Sequence, residues 1–155
     1  MFDNILVCLD GTESNEVIIP IVAELAGRFH SKLILLNVTV VPSLLNKIGK
    51  VELAPNQSTE LLEGEKEIGR YLDARVRMLT EKGLDVECVI VEGAVDESII
   101  ACAREYHANL IAIVNHNRSK FMKFLTGSIS DFIQRKAEVP VLSINPGAPA
   151  CCTGH

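Results

Sequence analysis

The sequence of 155 residues lacks the features that mark a membrane protein, a nucleic-acid-binding protein or a secreted protein. No apolar run approaches the roughly 20 residues that a membrane-spanning helix needs. The net charge of −5 and the absence of any basic cluster argue against binding to nucleic acid or to an acidic membrane surface. The first residues carry no positively charged segment, so we expect no signal peptide and a cytoplasmic location.

The sequence also lacks the short motifs of the common nucleotide-dependent and nucleophilic enzymes. No Gly-x4-Gly-Lys-Ser/Thr loop is present, and no Gly-x-Gly-x-x-Gly segment follows a predicted strand. Ser128 lacks the glycine spacing of a nucleophile elbow, so a helix N-cap is its simpler role. His116 has no second residue evident to orient it as a general base. A regulatory protein is therefore favoured over a catalyst, and the sequence shows no evident metal-ligand cluster.

The five cysteines do not indicate a disulfide framework. Three of them lie in apolar strand or helix patterns, where we expect small core side chains: Cys8, Cys88 and Cys102. The pair Cys151-Cys152 lies in a C-terminal segment, residues 147–155, that has no hydrophobic periodicity and that we expect to be a flexible tail. Together with His155 the pair supplies at most three metal ligands, whereas a structural zinc site needs four.

Hydrophobic patterning predicts strands that alternate with helices. Segments rich in apolar residues predict strands over 5–9, 33–40, 86–91, 110–114 and 139–144, and the continuous apolar run 5–9 is typical of a strand covered on both faces. Helical spacing of apolar residues predicts helices over 18–29, 61–79, 96–106 and 127–136, with Thr12 or Ser14 as the first N-cap. This order predicts an α/β fold with a single doubly wound parallel sheet, helices on both faces and one domain over 1–146. The longer connection 41–57 is typical of a functional or mobile loop.

Pro140 constrains the position of the fifth strand. Because proline cannot donate a hydrogen bond to a neighbouring strand, we expect the strand over 139–144 at an edge of the sheet. An apolar edge is prone to aggregation unless another segment covers it. Pairing of this strand with its copy in a homodimer would cover the edge, and the alternative is that a helix or the tail does so.

The strongest functional signal lies between the fourth strand and the fourth helix. A buried strand ends at Val114, a polar turn follows it, and Gly127-Ser128 opens the helix. Backbone N–H groups and the positive end of the helix dipole together form a common site for an anion. Ligands of an open parallel sheet bind beyond the carboxyl ends of the strands, where the winding reverses. If strands one and four flank that point, Asp10 faces this segment across the crevice.

Several segments, taken in order, resemble the universal stress protein family. They are residues 5–14, Leu35-Leu36-Asn37-Val38, Val91-Glu92-Gly93, His116-Asn117-Arg118 with Gly127-Ser128-Ile129-Ser130, and Val139-Pro140-Val141-Leu142. Each segment alone is weakly specific, but the ordered set is specific and covers the chain to about Pro146. The resemblance implies a Rossmann-like, five-stranded parallel sheet in the order 3-2-1-4-5 and a homodimer formed through strand five.

The resemblance also implies an adenine-nucleotide site, although its glycine signature is half intact. Family members that bind ATP carry Gly-x-x-Gly-x9-Gly-Ser/Thr, and here only Gly127 and Ser128 match it. Asn117 replaces the second glycine and tolerates a positive φ, whereas the β-branched Val114 replaces the first and crowds a close approach. Asp10 and Val38 correspond to positions that contact the nucleoside. The binding residues implied are Asp10, Val38, Val114, Asn117, Arg118, Gly127, Ser128 and Ser130.

Three functional hypotheses follow from these observations. The first is a cytosolic, homodimeric regulatory module of the stress response that binds ATP or AMP weakly in the crevice between strands one and four. The second is the same fold without nucleotide binding, acting through contacts with a protein partner. The third is slow ATP hydrolysis that uses His116 and Ser128. Asp10 has an alternative structural role as a cap of the turn or helix that follows strand one.

Overall fold

A computed structural model describes residues 1–39, 55–115 and 126–146, with the side chains of 1–39, 63–115 and 129–146. Of the predicted features, His116, Asn117, Arg118, residues 41–54 of the long connection and the tail 147–155 lie outside the described residues. The described strands are β1 (Asn4–Cys8), β2 (Lys32–Thr39), β3 (Asp85–Glu92), β4 (Leu110–Val114) and β5 (Val141–Ile144). The described helices are α1 (Ile18–Phe29), α2 (Pro55–Glu81), α3 (Val95–Glu105) and α4 (Thr126–Lys136).

The five strands form one parallel sheet in the order β3-β2-β1-β4-β5. This arrangement confirms the predicted fold class and strand order. β1 is the central strand, where Ile5 pairs with Leu33 of β2 on one side and with Leu110 of β4 on the other. The winding of the chain therefore reverses between β1 and β4, and the carboxyl ends of these strands are the expected place for a ligand.

Helices cover both faces of the sheet, which explains why the strands are rich in apolar residues. Successive side chains of a strand point to opposite faces of the sheet. Ile5 and Val7 therefore pack against α1 and α2, while Leu6 packs against α3 and α4. All three side chains are fully buried. Of the predicted core cysteines, Cys102 is buried, whereas Cys8 and Cys88 are only half-buried.

The predicted N-cap of the first helix and the predicted start of the second helix are wrong. α1 begins at Ile18 with Val17 as its N-cap residue and without a side-chain cap, because a short 3-10 turn, Glu13–Asn15, lies between β1 and α1. The Thr12 hydroxyl donates instead to the Asp10 carboxylate. α2 begins at Pro55, six positions before the predicted start, and proline suits the first turn of a helix because the missing N–H has no partner there in any case.

The position of β5 at the edge of the sheet is confirmed, but its predicted start is wrong. The strand begins at Val141, so Pro140 lies just before it rather than inside it. The Pro140 carbonyl accepts a hydrogen bond from the Ile111 N–H at 3.0 Å. Proline can occupy this position because only its carbonyl faces β4, and the missing N–H costs the sheet no hydrogen bond.

Candidate functional site

A cavity of about 280 Å³ opens at the carboxyl ends of the central strands. Its place, across the point between β1 and β4 where the winding reverses, is the one that the topology predicts for a ligand. Most of the lining is apolar, and polar side chains are few. The lining residues are Cys8, Leu9, Asp10, Asn15, Leu36, Asn37, Val38, Val95, Ile99, Ile113, Val114, Ile129, Ser130 and Ile133.

Asp10 lies in a tight turn directly after β1. Its Oδ1 atom accepts hydrogen bonds from the Thr12 N–H at 2.9 Å and from the Thr12 hydroxyl at 2.6 Å. Gly11 takes φ +82°, a conformation that glycine adopts without strain. Asp10 therefore caps this turn, as its alternative role predicted. The turn holds the exposed carboxylate at the rim of the cavity.

Two buried asparagines support this turn, and neither was among the residues predicted for the site. Asn37 of β2 is 5% exposed and donates through Nδ2 to the Leu9 carbonyl at 2.8 Å. Asn15 is 4% exposed, and its Oδ1 accepts from the Asp10 N–H at 3.3 Å. A buried amide needs partners, and both amides here satisfy backbone groups of the chain leaving β1. An asparagine inside the apolar run of β2 was the signal that could have revealed Asn37.

Among the described residues, the inner wall of the cavity consists of apolar side chains. Val38 from β2 and Ile99 from α3 pack in the same buried cluster as Ile129 and Ile133 from α4. Burial, with a smaller contribution from Cys102, raises the pKa of the Cys8 thiol to about 12. The thiol is therefore protonated near neutral pH. An apolar wall with a few polar groups at the rim suits a small ligand that has an apolar body and some polar groups.

Val114 lines the cavity from the last position of β4. It is 8% exposed, and it belongs to the cluster on the α1 and α2 face that includes Leu9 and Ile144. Val114 therefore belongs both to this core cluster and to the lining of the cavity.

The fourth side of the cavity is the first part of α4. Gly127 and Ser128 lie in its first turn, where backbone N–H groups have no partner within the helix and the dipole is positive. Ser130, one turn into the helix, lines the cavity. Of the predicted binding residues, the cavity thus brings together Asp10, Val38, Val114 and Ser130, with Gly127 and Ser128 nearby in sequence.

The described part of the chain holds no group of three or more His, Cys, Asp or Glu side chains placed to bind a metal ion. None of the helices in the described ranges is both long and apolar enough to cross a membrane.

Comparisons with known proteins agree with this architecture. The sequence profile of the universal stress protein family matches residues 1–145. Among curated relatives, the universal stress protein YxiE of Bacillus subtilis (strain 168) is 24% identical over 147 residues, 93% of this chain and 99% of that protein. The stress response protein NhaX of the same organism is 33% identical over 67 residues, and that match spans 43% of this chain but only 40% of NhaX.

Solved structures show the same fold. A universal stress protein in complex with cAMP superposes with a TM-score of 0.69 at 20% identity, covering 94% of this chain and 98% of that one. A universal stress protein family protein from Arabidopsis thaliana with AMP bound gives a TM-score of 0.67 at 18% identity, covering 96% and 97%. The profile match spans nearly the whole chain, and the sheet has the strand order that the resemblance implied. The chain belongs to the universal stress protein family.

Proposed function

We propose that this protein binds an adenine nucleotide in the cavity between β1 and β4 and acts as a cytosolic, homodimeric regulatory module of the stress response. The observation that carries the proposal is the cavity itself, with an apolar inner wall and a polar rim at the point where the winding reverses. The cAMP and AMP bound to two proteins of similar fold support the choice of an adenine nucleotide.

The chemistry of the walls suggests how a nucleotide lies in the cavity. The adenine ring packs between the apolar side chains of β2, α3 and α4, where Val38 forms part of the wall. The Asp10 carboxylate accepts hydrogen bonds from ribose hydroxyls. The phosphate points towards the first turn of α4, where Gly127 and Ser128 offer backbone N–H groups. Ser130, Asn117 and Arg118 complete the proposed binding set.

We expect the binding to be weak because Val114 occupies the mouth of the crevice. A dissociation constant of roughly 10 µM to 1 mM, or about 4–7 kcal/mol, fits a site that keeps half of the glycine signature. Gly127 and Ser128, which match the signature, supply backbone N–H groups of α4. Val114, which replaces the first glycine, prevents a close approach of the ligand to β4.

The homodimer part of the proposal depends on β5. This strand is at the edge of the sheet, and it pairs only with β4 among the described strands. Its first three residues are half-buried in the single chain. Pairing with a second copy of β5 would satisfy the outer backbone groups and cover these side chains.

Titration calorimetry with AMP, cAMP and ATP tests the proposed site. Val38→Phe adds bulk to the cavity wall and should abolish binding. Val91→Phe is the matched control because Val91 pairs with Val38 across β2 and β3 and packs in the same cluster, yet it does not line the cavity. We expect this control to bind as the unchanged protein does. Native mass spectrometry of the purified protein reports any retained nucleotide and the dimer mass together.

Absence of binding for all three nucleotides would contradict the nucleotide proposal. It would leave contacts with a protein partner as the function of this fold. Equal binding by Val38→Phe and the unchanged protein would place the nucleotide outside the cavity.

A further inference from the structure

The loop of residues 10–16, which carries Asp10 and Asn15, contacts α2 at two points. The first contact lies directly after Asp10. A Cβ atom added at Gly11 would lie 2.9 Å from the Cδ1 atom of Ile68 in α2, closer than real side chains approach. Gly11 also has a positive φ, so two independent constraints require glycine there. The turn that holds the Asp10 carboxylate is therefore pressed against α2 without an intervening side chain.

The second contact is a cluster of three side chains at the other end of the loop. Glu16 follows Asn15 directly, and its Oε1 atom accepts hydrogen bonds from the Tyr71 hydroxyl and from Arg75 Nε, the latter at 3.0 Å. The Arg75 guanidinium carbon lies 5.1 Å from the centre of the Tyr71 ring, within cation–π range. One carboxylate oxygen thus joins the loop to two side chains one turn apart on α2.

The protonation and burial of this cluster favour a persistent contact. Burial, followed by the hydrogen bond to Glu16, raises the pKa of Tyr71 to about 12. The hydroxyl therefore keeps its proton near neutral pH and remains a donor. The side chains of Glu16 and Arg75 are each 29% exposed, so salt screens their ion pair less than it screens a pair on the open surface.

The two contacts flank the polar residues that line the cavity. Gly11 adjoins Asp10 and Glu16 adjoins Asn15, while the Asp10 N–H donates to Asn15 Oδ1 at 3.3 Å. A displacement of α2 would therefore move both ends of the loop, and with them the polar rim of the cavity.

We propose that Glu16, Tyr71 and Arg75 are positioning residues, which hold loop 10–16 so that Asp10 and Asn15 face a nucleotide correctly. This inference rests on the proposed function, and it names residues that set the affinity of the cavity without lining it. Because coupling between two events is reciprocal, a bound nucleotide also strengthens the contact of α2 with the loop.

The chain contains two tyrosines, which gives a matched pair of variants. Tyr71→Phe removes the hydroxyl that binds Glu16 and keeps the ring beside Arg75. Tyr106→Phe is the control, because Tyr106 follows α3 and lies near Asn4, at the opposite end of the sheet from the cavity. By titration calorimetry with AMP, we expect Tyr71→Phe to raise the dissociation constant about 3-fold to 10-fold. We expect the control to leave it unchanged.

A double-mutant cycle separates positioning from a general loss of structure. If Tyr71 acts through the loop, Tyr71→Phe should cost less affinity in an Asp10→Asn background than in the unchanged protein. Glu16→Gln keeps an oxygen acceptor and loses the charge. Because Glu16 and Tyr71 share one hydrogen bond, the loss of AMP affinity in the double variant of Glu16→Gln and Tyr71→Phe should be smaller than the sum of the two single losses.

The outcomes for this inference and for the proposed function can be told apart. Equal affinity of Tyr71→Phe and the unchanged protein for AMP, or strictly additive losses in the cycle, overturns the inference and leaves the proposed function standing. Failure of the unchanged protein to bind AMP overturns the proposed function and the inference with it.

Discussion

Truncation of the Val114 side chain tests the proposed site most directly, because stability and affinity should change in opposite directions. Val114 is 8% exposed and packs with the core cluster on the α1 and α2 face. Val114→Ala removes two buried methyl groups at about 0.8 kcal/mol each, so we expect a loss of about 2 kcal/mol in the free energy of unfolding. Val114→Gly adds a backbone entropy cost of about 0.5–1 kcal/mol.

These losses convert into measurable shifts of the melting temperature. For a chain of 155 residues, 1 kcal/mol corresponds to a shift of about 2–4 °C. We therefore expect Val114→Ala to melt about 4–8 °C lower than the unchanged protein, and Val114→Gly lower still. Val7→Ala is the matched control, since Val7 is fully buried in the same cluster and does not line the cavity. It should lose similar stability without any gain in affinity.

The affinity for nucleotide should rise as the side chain at position 114 shrinks. Removal of the methyl groups opens the mouth of the crevice, and glycine allows the ligand to approach the backbone of β4. We expect Val114→Gly to lower the dissociation constant for ATP or AMP about 10-fold, or about 1.4 kcal/mol, with Val114→Ala between. Asn117→Gly should have a smaller effect, because asparagine already tolerates a positive φ.

Titration calorimetry and thermal unfolding of the same samples test whether Val114 obstructs the ligand. Tight binding by the unchanged protein, or an unchanged affinity in Val114→Gly, would refute the argument that Val114 obstructs the ligand. A gain of affinity in Val7→Ala would show that loosening of the core, rather than space at the crevice, controls binding. No binding even in the variant with glycine at both 114 and 117 would shift the function to protein contacts.

Two further predictions concern the edge strand and the C-terminal segment. Val141→Lys places a charge on the half-buried edge strand β5 and should convert a dimer into a monomer in sedimentation experiments, whereas Ile90→Lys on the opposite edge strand should not. A Val141→Lys protein that remains dimeric would rule out this interface. Truncation after Pro146 should barely change the melting temperature, because it removes no periodic apolar residue. A loss of more than about 5 °C, roughly 1–2 kcal/mol, would show that the segment packs on the domain.

The fold was largely predictable from local patterns in the sequence. Strands covered on both faces are mainly apolar, and β4 has that pattern unbroken while β1 has it after Asn4. Pro140 placed the last strand at an edge, although it lies just before β5 rather than within it. The N-cap of α1 and the start of α2 were less predictable, because a 3-10 turn or an early proline changes them without altering the hydrophobic period.

Topology and the order of the motifs predicted where the site lies, but not the hydrogen bonds within it. A parallel sheet whose winding reverses between β1 and β4 places Asp10 and Val114 at the carboxyl ends of these strands, as predicted from the sequence. Sequence alone could not decide which groups bond to the Asp10 carboxylate. A carboxylate after a strand serves equally well as a turn cap or as a ligand contact, and only the observed bonds to Thr12 establish the first role.

The contacts that link α2 to the loop were decided by the tertiary structure alone. Tyr71 and Glu16 are 55 positions apart, and nothing in the local pattern of either segment indicates that they meet. Their contact requires that the stripe of α2 containing Ile68 and Tyr71 pack on the sheet at one particular height and rotation. Hydrophobic periodicity determines which face of a helix is buried. Which polar groups meet at the border of that face depends on how the whole core packs. These contacts are therefore determined by the tertiary structure and not by the local sequence.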